Sequence, residues 1–138
     1  MPPKDQKIRN ISKYKNTTIL KAMNLFGLYE AKREIIAKDA VFIVEGQFDC
    51  ITCHRFGFKN VVALGSASFT KYHFLLLKRY ANNIYLLLDN DDAGRKQTEK
   101  IISRYGDLVN IVPITIPSCY KDIDECLVKG RDFSPLQV

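Results

Sequence analysis

The chain has 138 residues and a formal net charge of +6, with 21 Lys and Arg against 15 Asp and Glu. That length falls in the single-domain range and should bury about two-thirds of the unfolded surface. No apolar run reaches the ~18 residues a bilayer span needs, and Met1-Pro2-Pro3-Lys4-Asp5-Gln6-Lys7 lacks the apolar core of a secretory leader, so a cytoplasmic location is expected.

In chain order, the sequence begins with a basic extension over residues 1–18, followed by one domain over residues 19–138. Residues 1–38 hold nine Lys and Arg against the three acids Asp5, Glu30 and Glu34, whereas residues 39–138 hold twelve of each sign. The charge excess therefore lies at the N-terminal end, where it suits a polyanionic partner. Lys4, Lys7 and Arg9 read more simply as a solubilising tail. Lys13, Lys15 and Lys21 read as nucleic-acid contacts.

Apolar residues Ile19, Ala22, Met23, Phe26, Ala31, Ile35 and Ile36 predict a helix over 19–38, capped by Thr17 or Thr18. A strand is expected over 41–45, a helix over 47–56, and a short strand over 60–64. A helix over 70–81, a strand over 84–89, a helix over 92–104, a strand over 109–114 and a helix over 122–129 complete the series. Strands alternating with helices, without repeats or linkers, predict an α/β fold with a parallel sheet covered on both faces.

Two of these strands end on carboxylates. Val41-Phe42-Ile43-Val44 runs into Glu45-Gly46-Gln47-Phe48-Asp49, and Ile84-Tyr85-Leu86-Leu87-Leu88 runs into Asp89-Asn90-Asp91-Asp92-Ala93-Gly94-Arg95. Fully apolar runs of this length fit strands buried on both faces, and such sheets bind ligands at the carboxyl ends of their strands. Glu45, Asp89 and Asp91 are then expected on one rim, as hard oxygen ligands for Mg²⁺ or Mn²⁺. If the second strand continues through Asp91, Asp89 and Asp91 leave the same face. Gly46 and Gly94 give the backbone freedom for a sharp turn into a helix. The competing reading is a solvated acidic turn.

Other local patterns lead elsewhere and fail on context. Cys50-Ile51-Thr52-Cys53-His54 has the spelling of a haem-attachment motif, but it begins one residue after Asp49, inside a predicted packed helix. Phe48, Cys50, Ile51 and Cys53 are read instead as apolar packing, without haem. Cys119 and Cys126 supply no second zinc-ligand pair. Asp89, Asp91 and Gly94 match three EF-hand positions, yet Lys100 stands where the bidentate glutamate belongs. Neither His54 nor His73 is placed beside a serine and an acid to activate a nucleophile. Both read as surface or packing residues.

Taken in order, Glu45-Gly46-Gln47-Phe48-Asp49, Leu64-Gly65-Ser66-Ala67 and Asp89-Asn90-Asp91-Asp92-Ala93-Gly94-Arg95 resemble the Toprim catalytic domain of bacterial DnaG-type primases and phage primase-helicases. Lys121-Asp122-Ile123-Asp124-Glu125 resembles the late Asp-Pro-Asp-Glu element of that family, with Ile123 in place of proline. Upstream, Lys13-Tyr14-Lys15-Asn16, Leu20-Lys21 and Leu25-Phe26-Gly27-Leu28-Tyr29-Glu30-Ala31 resemble the stretch that leads into the primase domain. Asn90 stands where cellular members have glycine, as in the phage-type variant.

The resemblance implies a Toprim (Rossmann-like) fold. It also implies a primase-type RNA polymerase core that makes RNA primers on single-stranded DNA from nucleoside triphosphates. Glu45, Asp89 and Asp91 fall on its catalytic metal positions, with two Mg²⁺ or Mn²⁺ ions expected. Asp49, Asp122 and Asp124 fall on supporting acidic positions, and Lys13 and Lys21 on lysines facing phosphates or template. Arg95 and Lys96, at a helix start, read equally as a grip for phosphate and as ordinary helix-surface charge. A replicative helicase or other primase domains are the implied partners. A Toprim nuclease, and a partner-dependent binding module without turnover, remain the alternatives.

Overall fold

The computed structural model describes residues 24–65, 68–130 and 133–136. Its elements are α1 (Leu28–Lys38), β1 (Ala40–Val44), α2 (Gln47–Arg55), β2 (Val61–Ala63), α3 (Lys71–Lys78), β3 (Asn83–Leu87), α4 (Asp92–Tyr105), β4 (Asn110–Pro113), α5 (Ile123–Gly130) and a 3-10 turn (Ser134–Leu136). All strand pairs are parallel, in the order β2-β1-β3-β4. Among the described residues no helix is long and apolar enough to cross a membrane.

Strand β1 is the centre of the sheet, and each of its five residues is buried. Alternation sends its side chains to opposite faces. Val41 and Ile43 join a core with Ala31 and Ile35 of α1, Phe74 and Leu77 of α3, and Ile101 of α4. Phe42 and Val44 join a second core with Cys50 and Cys53 of α2, and Cys126 and Leu127 of α5. The uninterrupted apolar run is therefore two alternating sets read together, each under its own helix layer. β4 lies at the sheet edge, where Pro113 costs no ladder bond on a central strand.

The register sets Val44 beside Ala63 and Leu87, so β1 and β3 end almost level. From β1 the chain crosses to β2 on one side, whereas from β3 it crosses to β4 on the other. Connections leaving in opposite directions open a crevice between the carboxyl ends of β1 and β3. Glu45 directly follows β1, and Asp89 stands two residues beyond β3.

Three expectations need correction. The helix predicted over 19–38 begins at Leu28; residues 19–23 lie outside the described residues. Phe26 is extended and bridges Ala63, its N–H donating to Ala63 O at 2.9 Å and its carbonyl accepting from Ala63 N at 3.0 Å. Closing the open edge of β2 outweighs continuing the helix, and Gly27 makes the turn with φ +82. Second, β3 stops at Leu87, so Asp89 and Asp91 are not two steps along one strand. Third, Phe48 is 79% exposed and Ile51 40%, because α2 turns Cys50 and Cys53 inward instead.

The two histidines follow their packing roles. His73 is fully buried, accepting at Nδ1 from Thr70 N (3.1 Å) while its own backbone N–H donates to Thr70 Oγ1 (3.2 Å). Its Nε2 then faces Asn24 O at 3.0 Å as donor. His54 Nε2 lies 2.9 Å from Val61 O. Burial pushes the Cys50 thiol up to about 12 and Cys53 higher still, so both remain protonated packing groups.

Candidate active site

Glu45 reaches across the crevice, and its Oε1 accepts a hydrogen bond from the backbone N–H of Asp89 at 3.2 Å. That bond ties the Glu45 carboxylate to the backbone of Asp89, and the two side chains also interact directly across the crevice. Burial is the main cause that pushes Asp89 up to about 7, followed by the charge of Glu45, a side-chain hydrogen bond to Glu45, and the charges of Asp122 and Asp91.

Asp49 occupies the first turn of α2. Its Oδ2 accepts from Gly46 N at 3.0 Å and its Oδ1 from Asp124 N at 3.1 Å. Burial still dominates and raises it to about 6, against the lowering effect of those bonds; Asp122 and Asp89 add repulsion. One carboxylate therefore fastens the start of α5 to α2. Asp124 completes that junction by accepting a short bond from Thr52 Oγ1. Asp122 Oδ1 accepts from Glu125 N at 2.8 Å and caps α5.

Asp91 is the N-cap of α4, with its Oδ1 accepting from Gly94 N at 2.7 Å. The helix start brings Gly94 so close to the rim that a Cβ there would lie 2.1 Å from Asp89 O and 3.1 Å from Glu45 Oε1. Glu45, Asp89, Asp49 and Asp122 thus share one electrostatic neighbourhood with Asp91 at its border. Asp124 instead faces Thr52. Arg95 is spent on Asp92, 2.7 Å away, and on Asn90 Oδ1 at 3.5 Å. Lys96 is exposed, while Lys13, Lys15 and Lys21 lie outside the described residues.

Sequence reasoning assigns Asn90 only a family variation, but its role here is structural. Its backbone N–H donates to Lys121 O (2.9 Å), and its Nδ2 to Ile116 O and Tyr120 O (3.3 Å each). One residue between the two aspartates thereby holds the loop that brings Asp122 to the rim. Its partners are distant in sequence, so no local signal marks them.

The donor set fits a hard divalent cation. It is all oxygen, anionic and mutually repelling, which a cation would relieve. Among the described residues no three Asp, Glu, His or Cys side chains converge closely enough to enclose an ion. Mg²⁺ does not require such a cage: it is held by one or two carboxylates, with water and substrate phosphates completing its shell.

Asp49 and Asp89 bind protons more tightly folded than unfolded. Their protonated forms therefore support the fold below the ordinary carboxylate range, and that support is lost as pH rises through about 6 and 7. Solvent screening limits the effect to about 1–2 kcal/mol for each. Thermal melts in EDTA are expected to fall by several degrees between pH 5 and pH 8; a flat profile would contradict the strained pair.

A parallel sheet with an acidic crevice at its switch point defines a Rossmann-like α/β domain. Residues 42–127 match the model of the Toprim-like family, and the chain belongs to that family. It is 39% identical over 106 residues to a DNA primase of Aquifex aeolicus, covering 76% of this chain and 21% of that protein. It is 38% identical over 129 residues to a DNA primase of Clostridium acetobutylicum, covering 91% and 21%. The chain thus spans about a fifth of the length of these relatives. Among solved structures, the zinc-binding and RNA polymerase domains of the Aquifex aeolicus primase superpose with a TM-score of 0.72 at 37% identity, over 79% of this chain and 27% of that one. A DnaG primase catalytic domain bound to single-stranded DNA gives 0.70 at 28%, over 85% and 38%.

Proposed function

We propose that this chain is the nucleotidyl-transfer core of a DNA primase, joining nucleoside triphosphates into RNA on a single-stranded DNA template. The observation that carries the reading is the Glu45–Asp89 pair, two carboxylates held together at the switch point with Asp49 and Asp122 beside them. Similarity to primases over three-quarters or more of the chain supports the same assignment.

Phosphoryl transfer needs in-line positioning and charge stabilisation more than covalent chemistry from the protein. Glu45 and Asp89 would hold Mg²⁺ or Mn²⁺, with Asp91, Asp49, Asp122 and Asp124 in supporting places. A bound pair of ions would neutralise phosphate charge and lower the pKa of the attacking hydroxyl. Asp91 fixes the first turn of α4 beneath the rim, and Asn90 fixes the loop opposite. The basic segment with Lys13, Lys15 and Lys21 would meet template or nucleotide phosphates. A replicative helicase or further primase domains would complete the assembly.

The test is primer synthesis on single-stranded DNA with labelled nucleotides, with Mg²⁺ and then Mn²⁺, beside Glu45→Gln. Short RNA that disappears with the variant is the expected result. Metal-dependent shortening of the DNA would mean a nuclease, and intact DNA without RNA would mean a binding module. Mg²⁺ is also expected to raise the melting temperature at pH 8 much more than at pH 5, where Asp49 and Asp89 carry protons. An equal shift at both pH values would refute binding by these carboxylates.

A further inference from the structure

We propose that Lys96, Lys100 and Arg104 form a phosphate track for a single DNA strand, running along α4 to the acidic rim. The proposal deepens the polymerase reading by naming where the strand leaves the site, and it rests on that reading for the choice of ligand. Spacing of four residues keeps the three cations on one face of the helix. They stand about 6 Å apart and span about 12 Å in all.

All three are exposed and line one groove of about 310 Å³, whose wall includes Ser68, Phe69 and Tyr105. The ion pairs among the described residues are Lys38–Glu34, Arg95–Asp92 and Lys129–Glu125, so none of the three cations has an acidic partner there. Of the two acids of α4, Asp92 holds Arg95 at 2.7 Å, and Glu99 lines a different groove with Arg95 and Thr98. α4 therefore has one face of unneutralised positive charge and another on which Arg95 is neutralised.

Like charges at this spacing repel, and a polyanion relieves that repulsion. Ala93, in the first turn of α4, lines the same groove, so the track begins one turn from Asp89 and Asp91. A strand whose reacting end sits at the rim would find successive phosphates opposite successive turns of the helix. Three cations in a single row span about 12 Å, a line that the backbone of one flexible strand can follow.

The experiment is fluorescence anisotropy of a labelled oligothymidylate in EDTA, titrated with the protein between about 50 and 200 mM salt. The variant Lys96→Ala, Lys100→Ala, Arg104→Ala is expected to bind at least 10-fold more weakly at about 0.1 M salt. Its slope of log K against log salt should fall by about 2, from three lost contacts at about 0.7 each on a single strand. A charge-matched variant, Arg33→Ala, Lys59→Ala, Arg79→Ala, should lose less than threefold. Equal losses in the two triples, an unchanged slope, or equal affinity for a duplex of the same length would overturn the track. If wild type makes no RNA yet the first triple alone loses strand binding, the track stands and the polymerase reading falls. If wild type makes RNA and the first triple binds the strand as wild type does, the polymerase reading stands and the track falls.

Discussion

Asp89→Asn is expected to raise the melting temperature of the metal-free protein while cutting primer synthesis about a thousandfold. Asp89 is held near Glu45 with its acidity pushed up to about 7, so at neutral pH a large fraction of its charge is forced into a site that resists it. Asparagine has nearly the same shape and keeps the backbone N–H that donates to Glu45 Oε1. Removing the charge should stabilise the protein by about 1–2 kcal/mol after screening, or several degrees.

The same change removes an anionic oxygen from the proposed metal site. Charge stabilisation of the transferring phosphate is worth several kcal/mol, and a thousandfold corresponds to about 4 kcal/mol. Opposite signs for stability and activity are the mark of a residue kept for chemistry. Melting in EDTA and primer synthesis on one preparation test both halves. A lower melting temperature would make Asp89 a structural residue, and undiminished synthesis would remove it from the site.

The fold is legible where local sequence and tertiary packing agree. β1 and β3 read as buried strands because each of their faces has its own core, which leaves no polar position in Val41-Phe42-Ile43-Val44. α4 is expected over 92–104 and runs from Asp92 to Tyr105, its buried Ile101 lying in the core as the sheet above it requires. The start of α1 escapes sequence reasoning because the competing interaction is distant: Phe26 pairs with Ala63, far along the chain, and periodicity carries no trace of it. Gly27 is the available signal, a glycine inside a helical pattern.

At the site, residue types are readable but their division of labour is not. The acids at the ends of β1 and β3 follow from the rule about strand ends, and Glu45 and Asp89 do meet. Strand periodicity puts Asp91 on the face of Asp89, whereas it acts as a helix cap. Arg95 is a candidate phosphate grip or ordinary helix-surface charge in the sequence, and in the fold Asp92 three residues earlier takes its guanidinium. Asp49 and Asn90 each bind a segment far along the chain, to Asp124 and to Ile116–Lys121, and only the assembled fold supplies those partners.

Gly94→Ala is expected to cost about 3 kcal/mol or more, although helix propensity alone favours alanine by about 1 kcal/mol. The added Cβ would sit 2.1 Å from Asp89 O, a backbone atom with no rotamer to yield, and 3.1 Å from Glu45 Oε1. Moving the helix away is resisted by the bonds that start it, Gly94 N to Asp91 Oδ1 at 2.7 Å and Arg95 N to Asp91 O at 3.0 Å. Overpacking in a fixed site usually costs about 1–3 kcal/mol, and this contact is closer than such sites can relax. Denaturant midpoints measure the cost. Gly57→Ala is the comparison, because it has open space around its Cβ and only a φ of +90 to oppose it, a cost of about 1–2 kcal/mol. Gly94→Ala should exceed it and also abolish the Mg²⁺-dependent rise in melting temperature, since whatever yields is part of the rim. Similar costs for the two variants, with the Mg²⁺ response intact, would mean that α4 can retreat from Asp89 and that its close approach is not what holds the site together.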